Sequence, residues 1–169
     1  MPETILNADH IAAQSGGFEP QRKNNFNLRL VVGGEIIQQA LQSFPLPQEA
    51  SEVIRINRNN RKSKVSGIVD YDDLTLVLKD YADKPVMAKL LEWRRKVWDP
   101  KEEKIGLPSK YRCNGDVVMS APDGTSVRRW ELKGVWPSKV NPGGGDMESN
   151  TQNLITVTLV VEKAYEVEV

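Results

Sequence analysis

The chain has 169 residues, with 23 Lys+Arg balanced by 23 Asp+Glu. A chain of this length can bury one core without a disulfide or metal, and a neutral chain has no overall field to hold it on nucleic acid or an anionic membrane. The single cysteine, Cys113, and the single histidine, His10, cannot together form a disulfide or a zinc site. No signal peptide or membrane span is visible, which predicts a protein without a membrane anchor that is assembled in a cytoplasm.

The beginning of the chain is predicted to be an arm. Residues 1–20 lack sustained hydrophobic periodicity and finish in a Gly/Pro break, so we expect an extended N-terminal arm ahead of one β-domain at residues 21–169. Apolar residues alternate from Phe26 to Val32, which predicts a strand. Gly33-Gly34 followed by the apolar pair Ile36-Ile37 predicts a hairpin turn and a second strand.

Alternating apolar residues predict further strands along the rest of the chain. The Leu-Pro break at Leu46-Pro47 ends the first hairpin, because proline removes a ladder donor. A second hairpin is expected around Pro122-Asp123-Gly124, a strong turn signal. The predicted strands are Val53–Ile56, Leu74–Leu78, Asp116–Ser120, Val127–Val135 and Ile155–Val161.

One flanking helix is predicted at about residues 84–98. Asp83 is the expected N-cap, and Asp99-Pro100 stops the helix. Val86, Leu90, Trp93 and Val97 form one apolar row, with Met87, Leu91 and Trp98 in the row beside it. Several antiparallel strands and one helix predict a mainly β fold, an antiparallel β-sandwich or barrel.

Three motifs invite a chemical interpretation. Gly143–Gly145 lacks the Lys-Ser/Thr and the helix of a phosphate loop, so a connecting loop is favoured. Asp70, Asp72 and Asp73 favour a solvated turn, with an inter-subunit salt bridge as the alternative. No Gly-x-Ser-x-Gly elbow is present, and Cys113 has no CxxC partner. These features predict a structural protein rather than an enzyme, without cofactor or metal.

The sharpest charge feature is the segment from Arg55 to Lys64, which has five basic residues and no acidic one. It contains no aromatic side chain on which a base could stack. An exposed hairpin loop is favoured, a protein contact comes next, and nucleic-acid binding is third.

A set of motifs follows in order between about Asn25 and Tyr165: Leu46-Pro47, Lys62–Gly67, Tyr71–Thr75, the helix with Trp93, Trp130–Val140, Asp146–Asn150 and Ile155–Leu159. The fairly specific feature is a Gly-x-Trp-Pro turn followed by an Asp-x-x-Ser-Asn loop, while the Leu-Pro and Asp-Asp motifs are weak by themselves. In this order and spacing the motifs resemble the tail tube protein family of contractile-tailed bacteriophages. The longer N-terminal arm, the Gly143–Gly145 loop and the tail after Ala164 depart from the family pattern.

The resemblance implies a subunit of hexameric rings that stack into a hollow tube for DNA delivery. The partners it implies are further copies of the chain, a tail sheath protein, a baseplate and a tape-measure protein, with DNA passing through a neutral or acidic lumen without specific binding. The alternative is a tube subunit of a headless injection device, of tailocin or secretion type, or a baseplate-proximal tube initiator. The expected location is the virion tail.

The resemblance also suggests contacts between subunits or rings. The candidate residues are Arg58, Asn59, Asn60, Arg61, Lys62 and Lys64 in the basic segment, and the acidic residues Asp72, Asp73, Asp146 and Glu148.

Overall fold

The computed structural model describes residues 25–32, 34–145, 148 and 150–168. Within these residues the fold is mainly β, a curled half-barrel sheet with few helices, which confirms the predicted class. The strands are β1 (Phe26–Leu30), β2 (Leu41–Ser43), β3 (Glu49–Arg58), β4 (Arg61–Tyr71), β5 (Leu74–Lys79), β6 (Trp98–Asp99), β7 (Lys104–Ile105), β8 (Cys113–Ser120), β9 (Ser126–Asn141), β10 (Leu154–Val160) and β11 (Lys163–Val167). The helices are α1 (Gly34–Ala40), α2 (Val86–Val97) and α3 (Pro108–Tyr111).

The main sheet has seven antiparallel strands in the order β1-β8-β9-β10-β5-β2, with β11 also paired to β9. The long strand β9 joins its two parts, because β11 pairs with its first half and β10 with its second half. Gly134 lies where these halves meet, with φ +66°. A Cβ there would lie 2.7 Å from the Cβ of Glu162, so the chain needs glycine at this bend.

The core lies on the inner face of this curled sheet. In β5 and β10 the predicted alternation is confirmed, because Leu74, Leu76 and Leu78 are buried and stand opposite Leu159, Val157 and Ile155 in register. The intervening threonines are half-buried or exposed.

The predicted hairpin around Asp123 is also present as β8 and β9. Its turn is fixed by the Thr125 amide, which donates to Asp123 Oδ1 at 2.9 Å and lowers the pKa of that carboxyl.

Helix α2 packs on this core with the predicted row, since Val86, Leu90, Trp93 and Val97 are buried. The neighbouring row is less buried than expected, and Leu91 and Trp98 are exposed. The prediction of Asp83 as N-cap is wrong. The helix begins at Val86 after Pro85 and has no side-chain cap, because proline disfavours helical backbone in the residue before it.

Several elements differ from the sequence-based expectation. Helix α3 and strands β4, β6 and β7 were not predicted, and two further differences concern α1 and β11. The second strand expected after Gly33-Gly34 is instead helix α1, in which Ile37 and Ala40 lie three positions apart and are both buried. This spacing of buried residues is that of a helix and not of a strand. Strand β11 was not predicted, because only Ala164 within it is buried. The expected arm at residues 1–20 lies outside the described residues.

Candidate interaction surface

The most exposed part of the fold is the hairpin formed by β3 and β4. Among the described residues, these strands pair only with each other, in a two-stranded sheet separate from the main sheet. At about 3.4 Å per residue, the ten residues of β3 span roughly 30 Å. At the tip, Arg58 pairs with Arg61 around a two-residue loop in which Asn59 has φ 49°. At the base, the amide of Asp72 donates to the carbonyl of Gln48 at 3.1 Å.

The hairpin exposes a set of large apolar side chains. Ile54 is 46% exposed, and Val65, directly opposite it, is 43% exposed. A two-stranded hairpin is at best marginally stable in water unless its apolar face packs on something, so these side chains indicate a contact surface. This role was not predicted from the sequence, although the β-branched residues of the segment were the available signal. The set is Val53, Ile54, Ile56, Val65, Ile68 and Val69.

Five basic side chains occupy the tip half of the hairpin, and all are exposed. The register places like charges directly opposite each other, because Arg58 faces Arg61 and Arg55 faces Lys64. Such pairs are destabilising in an isolated sheet. The exposure of all five side chains confirms the prediction of an exposed hairpin loop, and their grouping concentrates positive charge at the tip. The basic residues are Arg55, Arg58, Arg61, Lys62 and Lys64.

Acidic side chains occupy the base half of the same hairpin. Asp72 and Asp73 form the short connection from β4 to β5, which confirms the predicted turn. They lie at the opposite end of the hairpin from Arg58 and Arg61, so the structure does not bring these predicted site residues together within one chain. All five acidic residues of the base are exposed: Glu49, Glu52, Asp70, Asp72 and Asp73.

Several charged side chains outside the hairpin form ion pairs. Arg112, just before β8, is 2.8 Å from Glu162, which lies between β10 and β11, and Arg129 on β9 is 3.7 Å from Asp116 on β8. Within the described residues, none of the ten charged side chains of the hairpin and its β5 connection forms an ion pair. The hairpin therefore presents unpaired charge of both signs, separated along its length.

The remaining predicted site residues lie elsewhere. Glu148 is exposed and belongs to the connection between β9 and β10, outside the hairpin. Asp146 lies outside the described residues.

A groove and a buried cysteine lie outside the hairpin. A groove of about 600 Å³ between β1 and the α1–β2 segment is lined by apolar and amide side chains, including Phe26, Gln38 and Gln42. Cys113 is buried, and burial raises its pKa to about 11. Among the described residues, no three His, Cys, Asp or Glu side chains are grouped to hold a metal ion. Within the same residues, no helix combines the length and apolar character needed to cross a membrane.

Known structures with a similar fold come from injection machines. A sheath/tube terminator of an extracellular contractile injection system, termed PVC, has a TM-score of 0.71 and 14% identity, over 89% of this chain and 98% of that chain. A type six secretion system protein has a TM-score of 0.50 and 8% identity, over 83% of this chain and 81% of that chain. The chain thus has the fold of a class of proteins found in contractile injection and secretion machines.

Sequence comparison gives the particular family. Residues 22–165 match the model of the family described as T4-like virus tail tube protein gp19. The tail tube protein gp19 of Enterobacteria phage T4 is 27% identical over 154 residues, which cover 89% of this chain and 93% of that protein. The chain belongs to the T4-like virus tail tube protein family, which confirms the resemblance.

Proposed function

We propose that this tail tube protein forms hexameric rings that stack into a hollow tube, through which DNA leaves the virion. The observation that supports this proposal best is the β3–β4 hairpin, which leaves six large apolar side chains 41–79% exposed to solvent. In a tube, the hairpin would pack on a neighbouring copy and lose this exposure.

The main sheet offers a second kind of contact. Strands β1 and β2 lie at the two ends of the main sheet, and β11 pairs only with β9. Each of these three strands therefore has an open edge among the described residues. Open edges are templates for pairing with another chain. We propose that such edges join subunits within a ring, while the hairpin and its basic tip join subunits or successive rings. A ring of identical contacts follows when one surface binds a different surface of the next copy.

Membership of the family also supports a set of proposed partners for the tube. We propose that a tail sheath protein surrounds the tube, that a baseplate starts it and that a tape-measure protein sets its length. Assembly in the host cytoplasm is part of the same proposal. The sheath/tube terminator among the similar structures supports a sheath partner. The protein acts as a structural element and not as an enzyme, and a lumen without excess positive charge lets DNA pass without being held.

A second candidate is a tube subunit of a headless contractile injection device or a baseplate-proximal tube initiator. The similarity to an extracellular contractile injection system favours it, because the same fold serves both kinds of machine. Packaged DNA in the lumen of purified particles would separate the two functions.

Negative-stain electron microscopy of the purified chain tests the proposal. Rings or hollow tubes are expected, and a chain that stays monomeric even with tail-initiating partners would contradict it. The companion variant Arg58→Ser/Arg61→Ser/Lys62→Ser should assemble poorly while keeping its circular dichroism spectrum, because these side chains are exposed. The matched control Arg58→Lys/Arg61→Lys keeps the charge and should assemble. Normal tubes from the Ser variant would refute the role of the basic tip.

A further inference from the structure

The hairpin carries equal and opposite charge at its two ends. Its tip has five basic residues from Arg55 to Lys64. Its base has five acidic residues: Glu49 and Glu52 on β3, Asp70 on β4, and Asp72 and Asp73 directly after β4. Roughly 30 Å of strand separates the extremes, so one hairpin cannot fold its own tip onto its own base.

We propose that the basic tip of one copy docks on the acidic base of the hairpin of a second copy, so that consecutive copies are joined tip to base. This proposal rests on the proposed tube function and specifies which two surfaces meet. It assigns Arg58 and Arg61 to one side of the contact and Asp72 and Asp73 to the other.

The register of the hairpin gives the physical reason for a partner at the tip. Arg58 opposite Arg61 and Arg55 opposite Lys64 repel each other in the free chain, and no described acidic residue pairs with them. An acidic surface placed against the tip removes this repulsion. The base also brings like charges together, in this case negative ones. Asp72 and Asp73 are adjacent and exposed, and neither forms an ion pair with a described residue.

A second copy fits the tip better than nucleic acid does. No aromatic side chain lies between Arg55 and Lys64 to stack on a base. Apolar side chains flank the basic ones, with Ile56 41% exposed and Val65 43% exposed, and a protein surface can cover them whereas a phosphate backbone cannot. The charge of the chain as a whole is zero, so the matching anionic surface is already supplied by the same sequence.

Charge-reversal pairs test the contact. The tip variant Arg58→Glu/Arg61→Glu and the base variant Asp72→Lys/Asp73→Lys each place like charges at every tip-to-base contact, and like-charge contacts raise the critical concentration for assembly by roughly a hundredfold or more. In an equimolar mixture, each copy of one variant finds a complementary copy of the other. We expect the mixture, and a single chain with all four substitutions, to assemble within about tenfold of the wild-type concentration.

The readout is the critical concentration from sedimentation, with negative-stain images to identify the product and circular dichroism to show that each variant is folded. Rescue by mixing supports the proposal, because a purely structural defect in each variant would persist in the mixture. Assembly of the wild type without rescue in the mixture or in the fourfold variant overturns the tip-to-base contact and leaves the tube function standing. Salt-sensitive binding of a DNA duplex by the wild-type tip, lost in the tip variant, together with no rescue, would assign the tip to nucleic acid instead. A wild type that never assembles, even with tail-initiating partners, contradicts the tube function itself.

Discussion

The apolar pair Ile54 and Val65 gives the sharpest test of whether the hairpin is an interface. The two side chains stand directly opposite each other in the β3–β4 register and are 46% and 43% exposed. The variant Ile54→Thr/Val65→Thr keeps β-branched side chains, which suit a strand, and removes apolar surface from the face. We expect the variant to fold as the wild type does and to assemble only at higher concentration.

The expected change in critical concentration follows from the exposed fractions of Ile54 and Val65. Complete burial of an Ile or Val side chain stabilises by about 1.5–3 kcal/mol relative to full exposure. Slightly less than half of each side chain is still in solvent, so its burial in a neighbour contributes about 1 kcal/mol. Two such side chains give about 2 kcal/mol for each subunit, and since 1.4 kcal/mol is a factor of ten, the critical concentration should rise about 30-fold.

Sedimentation of polymer across a concentration series measures this shift, and thermal unfolding at a concentration below assembly checks the fold. The exchanged pair Ile54→Val/Val65→Ile is the matched control, because it conserves the total apolar volume and should assemble within about threefold of wild type. A Thr variant with unchanged melting temperature and unchanged critical concentration would show that this face stays in solvent, and the hairpin would then not be the interface.

Three further predictions concern the core and the bends of the fold. In Trp93→Phe, the Tyr111 carbonyl loses the indole N–H that donates to it at 2.7 Å, and urea unfolding should show a loss of about 1–3 kcal/mol. Gly134→Ala should lower the melting temperature more than Gly124→Ala. Both glycines have positive φ, but a Cβ at Gly134 would clash with the side chain of Glu162, whereas a Cβ at Gly124 would meet no atom within 4 Å. Equal losses would refute the clash with Glu162. The pKa of Cys113, about 11, keeps the folded thiol protonated below that pH, so alkylation at pH 8.5 should be over tenfold slower in buffer than in guanidinium chloride. Equal rates would show that the thiol is accessible.

The sequence predicted those parts of the fold in which burial follows a simple period. Leu74, Leu76 and Leu78 are buried at period two, and Val86 and Leu90 are buried at the spacing of a helix, as expected. The start of α2 was placed too early because the preference of Asp83 for an N-cap was weighed above the restriction that Pro85 places on its predecessor.

The proposed interface was harder to predict, because its apolar residues do not form part of the core. The sequence predicted a short strand at Val53–Ile56, whereas β3 extends over Glu49–Arg58 with every residue exposed. Its apolar residues did not reveal a contact surface, since apolar residues in a strand do not say whether the covering surface comes from the same chain or from another. The basic residues from Arg58 to Lys64 were found, because an uninterrupted charge excess is visible without knowing the fold.

The separation of charge along the hairpin also bears on which assemblies the chain can form. Two copies that met tip to tip would bring ten basic residues together, and a base-to-base contact would do the same with acidic residues. Both contacts are of the self-complementary kind that produces a closed dimer. Tip-to-base contact joins opposite charges, uses two different surfaces of the chain and leaves one of each free at every step. Such a contact closes into a ring or continues as a stack, so the arrangement of charge that opposes dimers is the same arrangement that favours a tube.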